Sequence, residues 1–121
     1  MLLVTRLSVF AGALVLVGAN TCLAGAATVA RCPADLHGHP PARADAASLF
    51  DGDPRNNALL APSESRGQSN TWWQNVWRFN PGSAANVTVI CRYETTREAV
   101  VFKLPASVRI CRQDPTSFAC E

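Results

Sequence analysis

The sequence predicts a mainly β protein with a small antiparallel sheet, two disulfides and room for one short helix. Apolar and polar residues alternate from Asn86 to Glu94 and again from Glu98 to Leu104. Such alternation gives each strand one apolar face. An even number of cysteines follows the apolar leader, which is typical of a small exported domain stabilised by disulfides. These cysteines are Cys32, Cys91, Cys111 and Cys120.

The first 26 residues have the pattern of a signal peptide. Arg6 precedes the apolar stretch 7–18, and Ala24 and Ala26 occupy the minus-three and minus-one positions of a cleavage site. A membrane span needs about 20 strongly apolar residues, and this stretch contains glycines and breaks at Asn20. We therefore expect a periplasmic or secreted protein with no membrane span after signal removal.

The chain divides into a signal peptide (1–26), an extended proline-containing arm (27–44) and a single β-rich domain (45–121). Removing 26 of the 121 residues leaves 95, which is enough for one compact domain. An alternative is a lipoprotein in which Cys22 becomes the acylated first residue. The three residues before Cys22 lack the large aliphatic side chain expected there.

The charge of the exported chain is close to neutral. Eleven basic residues stand against nine acidic ones in the whole sequence, and loss of Arg6 leaves ten against nine. A nucleic-acid-binding domain normally carries a clear basic excess, so we expect no nucleic-acid partner.

The four cysteines allow three pairings. If the segments holding Cys91 and Cys111 flank a central strand, they lie about 10 Å apart, beyond the reach of a disulfide. Cys32–Cys91 with Cys111–Cys120, or Cys32–Cys111 with Cys91–Cys120, therefore remain, and the short local loop of the first pairing favours it. The spacings contain no close cysteine pair of the zinc-ribbon type, so we expect no metal.

Two segments precede the C-terminal strands. Residues 44–50 are compatible with a short helix or a strand and end in a turn at 51–54. Between 71 and 79, aromatic residues occur at both parities, which favours a strand packed on both faces. The four-residue spacing of Trp73 and Trp77 is also compatible with a helical turn.

Three consecutive C-terminal strands predict an antiparallel meander. The predicted strand at 71–79, which contains the tryptophans, joins this meander in the same sheet. In the third strand, alternation places Val108 and Ile110 on one face and Cys111 on the other. Pro105 ends the second strand. The three predicted strands span 86–94, 98–104 and 107–112.

Aromatic and basic side chains of these strands are the candidate binding residues. Exposed indoles beside an arginine can form a stacking platform for sugars or bases, whereas core packing is the favoured alternative in so small a domain. Outward arginines can recognise an acidic or mixed-charge protein surface, and ordinary solvation of a sheet is their alternative. The candidates are Trp72, Trp73, Trp77, Arg78, Arg92 and Arg109.

Several short motifs follow one another along the chain. They are Cys32-Pro33, the turn 51–54, Leu60-Ala61-Pro62, the tryptophan-containing segment 71–79, Cys91-Arg92-Tyr93, Leu104-Pro105 and Cys111. Their order resembles a family of small exported proteobacterial proteins of uncharacterised function. The resemblance spans nearly all of the exported chain and implies a periplasmic β-rich domain with no established activity. It carries over no catalytic residues.

We expect a non-enzymatic binding or interaction domain of the bacterial envelope, with no cofactor and with a protein or glycan partner. One alternative is an inhibitor of a host or envelope hydrolase. Another is a glycan-processing enzyme that uses Asp51, Asp53 or Glu94 as its carboxylates. The sequence has no Gly-x-Ser-x-Gly motif, and His37 and His39 alone do not complete a metal site.

Overall fold

A computed structural model describes residues 28–42, 46–67, 69 and 71–121. Antiparallel strands form two sheets, which confirms the predicted mainly β class. The strands are β1 (Ala30–Arg31), β2 (Ala47–Asp51), β3 (Glu64–Arg66), β4 (Gln74–Arg78), β5 (Val87–Arg92), β6 (Ala99–Lys103), β7 (Ile110–Gln113) and β8 (Phe118–Cys120). The five-stranded sheet has the order β1-β8-β7-β4-β3, and the three-stranded sheet has the order β2-β5-β6.

Within the described ranges, the short helix that the sequence allowed is represented only by two 3-10 turns, at Pro54–Asn56 and Ser83–Asn86. The ambiguous segment 44–50 supplies β2, which pairs with β5 and buries Leu49. No helix in the described part of the chain is long and apolar enough to cross a membrane. The predicted signal peptide, with Cys22, lies outside the described residues.

The predicted meander is wrong in its third strand. β5 and β6 are neighbours as expected, but β7 lies between β4 and β8 in the other sheet. The chain turns directly after Leu104, where the Val108 N–H donates to the Pro105 carbonyl at 3.1 Å. The chain leaves the three-stranded sheet through this turn, and β7 gains two neighbours where a meander would give it one.

A β-bulge reverses the predicted facing of the third strand. The N–H groups of Arg109 and Ile110 both donate to the Glu121 carbonyl, at 2.9 and 3.1 Å. Two residues therefore oppose one, which shifts the alternation by one position. Val108 and Cys111 are both fully buried as a result, whereas the unbroken alternation placed them on opposite faces.

The disulfides pair as the sequence favoured, Cys32 with Cys91 and Cys111 with Cys120. Cys111 and Cys120 lie directly opposite one another on β7 and β8. Cys32 follows β1, so its bond to Cys91 on β5 joins the two sheets. Cys91 and Cys111 are not bonded to each other, as the sequence argument expected. Its reason was wrong, because the two cysteines lie in different sheets and do not flank a common central strand.

One buried cluster contains residues of both sheets. Leu49 and Val89 come from the three-stranded sheet, and Trp77 and Phe118 come from the five-stranded sheet. The rings of Trp77 and Phe118 meet edge to face, with centroids 6.2 Å apart. The opposite face of the five-stranded sheet is therefore left to the surface.

The arm is tied to the rest of the chain at several points in its described part. β1 pairs with β8, and the Tyr93 hydroxyl donates to the Pro33 carbonyl at 2.7 Å. Burial raises the pKa of Tyr93, so this hydroxyl stays protonated as a donor near neutral pH. The described part of the arm thus lies against the domain, but it is not extended throughout. Leu36 and His39 exchange backbone hydrogen bonds across a tight turn in which His37 and Gly38 have positive φ.

Candidate functional site

The tryptophans have different environments. Trp77 is only 5% exposed, and its Nε1 donates to the Leu60 carbonyl at 3.1 Å. Trp73 is half-buried, whereas Trp72 is 55% exposed. Trp77 therefore packs in the core, and Trp72 is the indole that a ligand can reach.

The loop between β3 and β4 holds Trp72 in place. The Ser69 hydroxyl accepts from the Trp72 N–H at 2.8 Å and donates to the Trp72 carbonyl at 3.1 Å. Gly67 has a φ of +74°, and a Cβ there would approach the Trp72 ring to 2.3 Å. Position 67 must be glycine because the positive φ disfavours other residues and because a Cβ would collide with the Trp72 ring. The exposed indole therefore has a fixed position against Gly67, at the end of the β3–β4 hairpin.

The outer surface of the five-stranded sheet collects arginines from four strands. One cross-strand row contains Arg31, Ala119, Arg112, Val76 and Glu64. Residues two positions from a member of this row lie on the same face, because side chains alternate along a strand. We call the set Arg31, Arg66, Arg78 and Arg112 the arginine face; each of the four is exposed.

Two glutamates orient three of these guanidinium groups. The Glu64 carboxylate binds Arg78 Nε and Arg66 Nη2, both at 3.0 Å, and Glu121 binds Arg112 Nη1 at 2.7 Å. The hydrogen bond from Arg78, followed by that from Arg66, lowers the pKa of Glu64. Within the described residues, the four arginines of this set outnumber the two glutamates that bind three of them.

The arginine face can bind carboxylates. Arginine presents a rigid fork of donors that fits a carboxylate in a bidentate manner, and the two glutamates restrict the rotamers of three arginines before any partner arrives. Val76 lies among these side chains and is only 3% exposed. Trp72 lies in the loop between β3 and β4, the strands that carry Arg66 and Arg78.

A family model described as the type VI secretion system Tli immunity protein matches residues 39–120. The chain belongs to this family. The resemblance to exported bacterial proteins of uncharacterised function was therefore correct in kind but coarser than the family match. No curated protein and no solved structure matches the chain. The matched range includes three of the four residues of the arginine face and leaves out Arg31 and Cys32.

Two other candidate residues of this Tli-family chain make contacts of their own. Arg92 lies on the three-stranded sheet, where its Nη1 donates to Ser48 Oγ at 3.2 Å. The Nε of Arg109, at the bulge, donates to the Phe79 carbonyl at 3.0 Å. Among the six sequence candidates, Arg78 belongs to the arginine face by its register, and Trp72 is exposed in the adjoining β3–β4 loop.

Sequence reasoning did not name Arg31 or Arg66 as binding residues. β1 has two residues and β3 has three, so neither is long enough to show a two-residue period. The signal that was available is compositional, since each of these strands contains an arginine.

The three carboxylates of the enzyme hypothesis lie in separate settings. Asp51 accepts from the Asn86 amide and lines a cavity of about 270 Å³ that has no second carboxylate among its described lining residues. Asp53 is held by Arg55, whose donation lowers the pKa of Asp53 to about 2. The backbone N–H of Glu94 donates to the Pro40 carbonyl. Neither Asp53 nor Glu94 lines the cavity that contains Asp51, so these three carboxylates do not share it.

The histidine pair has ordinary polar contacts. His39 Nδ1 lies 2.8 Å from Thr95 Oγ1, and His37 Nε2 lies 3.8 Å from Glu98 Oε2. Over the described ranges, no group of three or more histidine, cysteine, aspartate or glutamate side chains is arranged to hold a metal ion.

Proposed function

We propose that this protein neutralises a type VI secretion effector by binding it, and that the arginine face with Trp72 is the contact surface. Membership of an immunity-protein family supports the class of partner, because an immunity protein acts by protecting the cell from a cognate toxin. The observation that carries the choice of surface is the gathering of arginines from four strands beside an exposed tryptophan. Arginine and tryptophan are the residue types most enriched in interface hot spots.

The chemistry of the face specifies an effector surface with carboxylates. Arg78 and Arg112 each retain donors beyond those given to Glu64 and Glu121, because a guanidinium has five N–H groups. An incoming carboxylate then meets a guanidinium already held in position, which reduces the ordering cost of binding. Trp72 supplies a rigid apolar contact beside this charged area.

The proposed place of action is the periplasm. The leader pattern supports export, and the two disulfides suit an oxidising compartment. Blocking an effector there requires a stable complex and no chemical reaction, so we propose a non-enzymatic mode of action. If the effector is an envelope hydrolase, this role coincides with the hydrolase-inhibitor alternative that the sequence suggested.

Co-expression tests the proposal directly. Each type VI effector of the producing bacterium is directed to the periplasm of a test cell, with and without this protein. We expect the protein to suppress the toxicity of one effector and to form a complex with it that survives gel filtration. If every toxic effector kills equally in the presence of the correctly exported protein, the immunity role is wrong.

A glycan is a second candidate ligand, because Trp72 exposes an indole that can stack on a sugar ring. Titration with soluble peptidoglycan fragments, read by tryptophan fluorescence, tests it. A saturable signal that Trp72→Ala abolishes supports glycan binding, and a flat titration contradicts it.

A further inference from the structure

Among the described strands, β6 has the longest open edge. β2 is covered at its outer side, where the Asp51 N–H donates to the Ala58 carbonyl and the Leu60 N–H donates to the Leu49 carbonyl, both at 2.8 Å. The edge strands of the other sheet are β1, with two residues, and β3, with three. β6 has five residues and pairs with β5 on one side only.

The backbone register shows which groups of β6 face outward. Leu104 pairs with Val87 through a hydrogen bond of 3.0 Å, and bonded and non-bonded pairs alternate along an antiparallel ladder. The N–H and C=O groups of Ala99, Val101 and Lys103 therefore point away from β5. Within the described residues, none of them has a backbone hydrogen bond outside that ladder.

The composition of β6 suits pairing with a further strand. Its sequence is Ala-Val-Val-Phe-Lys, and the exposed fraction of Val101 is 57%. A long apolar edge of this kind is a template for another chain, and soluble proteins usually cover or break it. The only charge on this edge is Lys103 at its end, which leaves the central positions available.

A groove runs along the C-terminal half of this edge. Its volume is about 560 Å³, and its other wall is formed by residues 28–31 of the arm. Two cationic residues, Arg31 and Lys103, line it, and no acidic residue does so within the described chain. Asp53 lies near enough to Lys103 for the lysine charge to contribute to lowering the pKa of Asp53. The Asp53 carboxylate, however, already forms an ion pair with Arg55.

We infer that an extended acidic segment of the effector adds to β6 as a fourth strand of the three-stranded sheet. The inference rests on the proposed immunity function and adds the mode of recognition. Main-chain hydrogen bonds to Ala99, Val101 and Lys103 supply affinity, and the cationic groove selects acidic side chains, as in other cases of strand addition. Arg31 belongs to both the groove and the arginine face, so one effector can occupy the two surfaces together.

Substitution of Val101 by proline tests the backbone contact. Proline removes the outward N–H without removing a bond of the β5–β6 ladder, and edge strands tolerate it at such a position. With the effector identified by toxicity suppression as the probe, Val101→Pro weakens binding by about tenfold or more, since an effector carbonyl loses its donor. Val101→Thr is the matched control, because it keeps the N–H and the β-branched shape, and its affinity stays within about twofold.

Charge reversal tests the groove without touching the backbone. Lys103→Glu lowers effector affinity by about tenfold or more, because it places a like charge opposite the acidic segment. Arg97→Glu is the control, since it makes the same charge change in the loop between β5 and β6, away from the groove. In the wild-type complex, the amides of Val101 and Lys103 exchange hydrogen more slowly than in the isolated protein, while those of Val100 and Phe102 are unchanged.

The outcomes separate this inference from the immunity function. If no effector is suppressed or bound, the proposed function itself is wrong. If the effector binds Val101→Pro and Lys103→Glu with wild-type affinity, and the β6 amides gain no protection, strand addition is wrong while the immunity role stands. A wild-type dimer in gel filtration that Val101→Pro dissociates assigns the edge to a second copy and also overturns the inference. Should Val101→Pro fail to fold, Lys103→Glu and the wild-type exchange experiment decide.

Discussion

The two sheets differ in how far apart along the chain their strands lie. β5 and β6 of the three-stranded sheet are joined by six residues, and their alternation is visible in the sequence. In the five-stranded sheet, Ala30 lies opposite Cys120 and Trp77 lies opposite Cys111. The arginine face is thus assembled from strands that lie far apart along the chain, whereas β5 and β6 are neighbours both in the chain and in their sheet. Alternation within one strand therefore does not reveal which arginines share a face.

The largest expected effect comes from the disulfide that joins the sheets. Cys32–Cys91 closes a loop with a sequence separation of 59, and Cys111–Cys120 one with a separation of 9. Loop entropy then predicts losses of about 4 kcal/mol for Cys32→Ser/Cys91→Ser and about 2.5 kcal/mol for Cys111→Ser/Cys120→Ser. Urea unfolding of the two double variants measures both values. Equal losses of unfolding free energy, or losses in the reverse order, would show that the Cys32–Cys91 disulfide does not stabilise the fold more than the Cys111–Cys120 disulfide.

The next largest effect is expected for substitution of the buried Trp77, in comparison with the exposed Trp72. Trp77→Phe leaves the Leu60 carbonyl without its indole donor and shrinks a buried side chain, so we expect a loss of about 2 kcal/mol in unfolding free energy. Trp72→Phe changes an exposed side chain and should stay within about 0.5 kcal/mol. Chemical denaturation checks the pair, and comparable losses would contradict the division of the tryptophans into core and surface.

A smaller effect, confined to binding, is expected at the arginine face. Arg78→Ala and Arg112→Ala each weaken effector binding by about tenfold, or about 1.4 kcal/mol, and change unfolding free energy by less than about 0.5 kcal/mol. Arg97→Ala, in the loop of the three-stranded sheet, serves as the control and leaves affinity unchanged. Calorimetry with the suppressed effector measures all three. If Arg97→Ala weakens binding as much as Arg78→Ala, the loss of affinity is not specific to the arginine face.

The smallest effect is the pH response of Glu64. Its pKa is lowered in the folded protein by Arg78 and Arg66, so its ion pairs stabilise the fold above the ordinary value of 4.5. This contribution is lost as the pH falls below 4.5 through the lowered pKa of the folded state. Melting temperatures between pH 6 and pH 3 should fall less steeply for Glu64→Gln than for the wild type. Parallel curves would mean that the network does not stabilise the fold.

Alternation along β5 and β6 could be recognised from the sequence because both strands are long enough to show a period of two. Val89 and Cys91 are fully buried as this period requires, and Val101 is exposed. The same reasoning failed at the third strand, because the bulge at Arg109 and Ile110 shifts the period and has no composition signal of its own. The position of β7 between β4 and β8 was also beyond local reasoning, since pairing depends on which partners the fold brings together.

The candidate site divides in a similar way. Trp72 and Arg78 were visible as members of an aromatic and basic segment, and the structure shows both side chains exposed. Arg31 and Arg66 lie in strands of two and three residues, too short for a pattern, and join that face only through cross-strand pairing. Arg92 was an equally reasonable choice from alternation alone, yet it lies in the other sheet.

The sequence by itself determined the β class, the favoured disulfide pairing and the core-facing side of β5, because these follow from local alternation and from cysteine spacing. Tertiary structure alone decided the order of strands in two sheets, the burial of Trp77 beside the exposure of Trp72, and the gathering of the arginine face. The physical reason is that hydrogen bonds across a sheet join residues without regard to their distance along the chain. A surface made from several strands therefore has no counterpart in any single stretch of sequence.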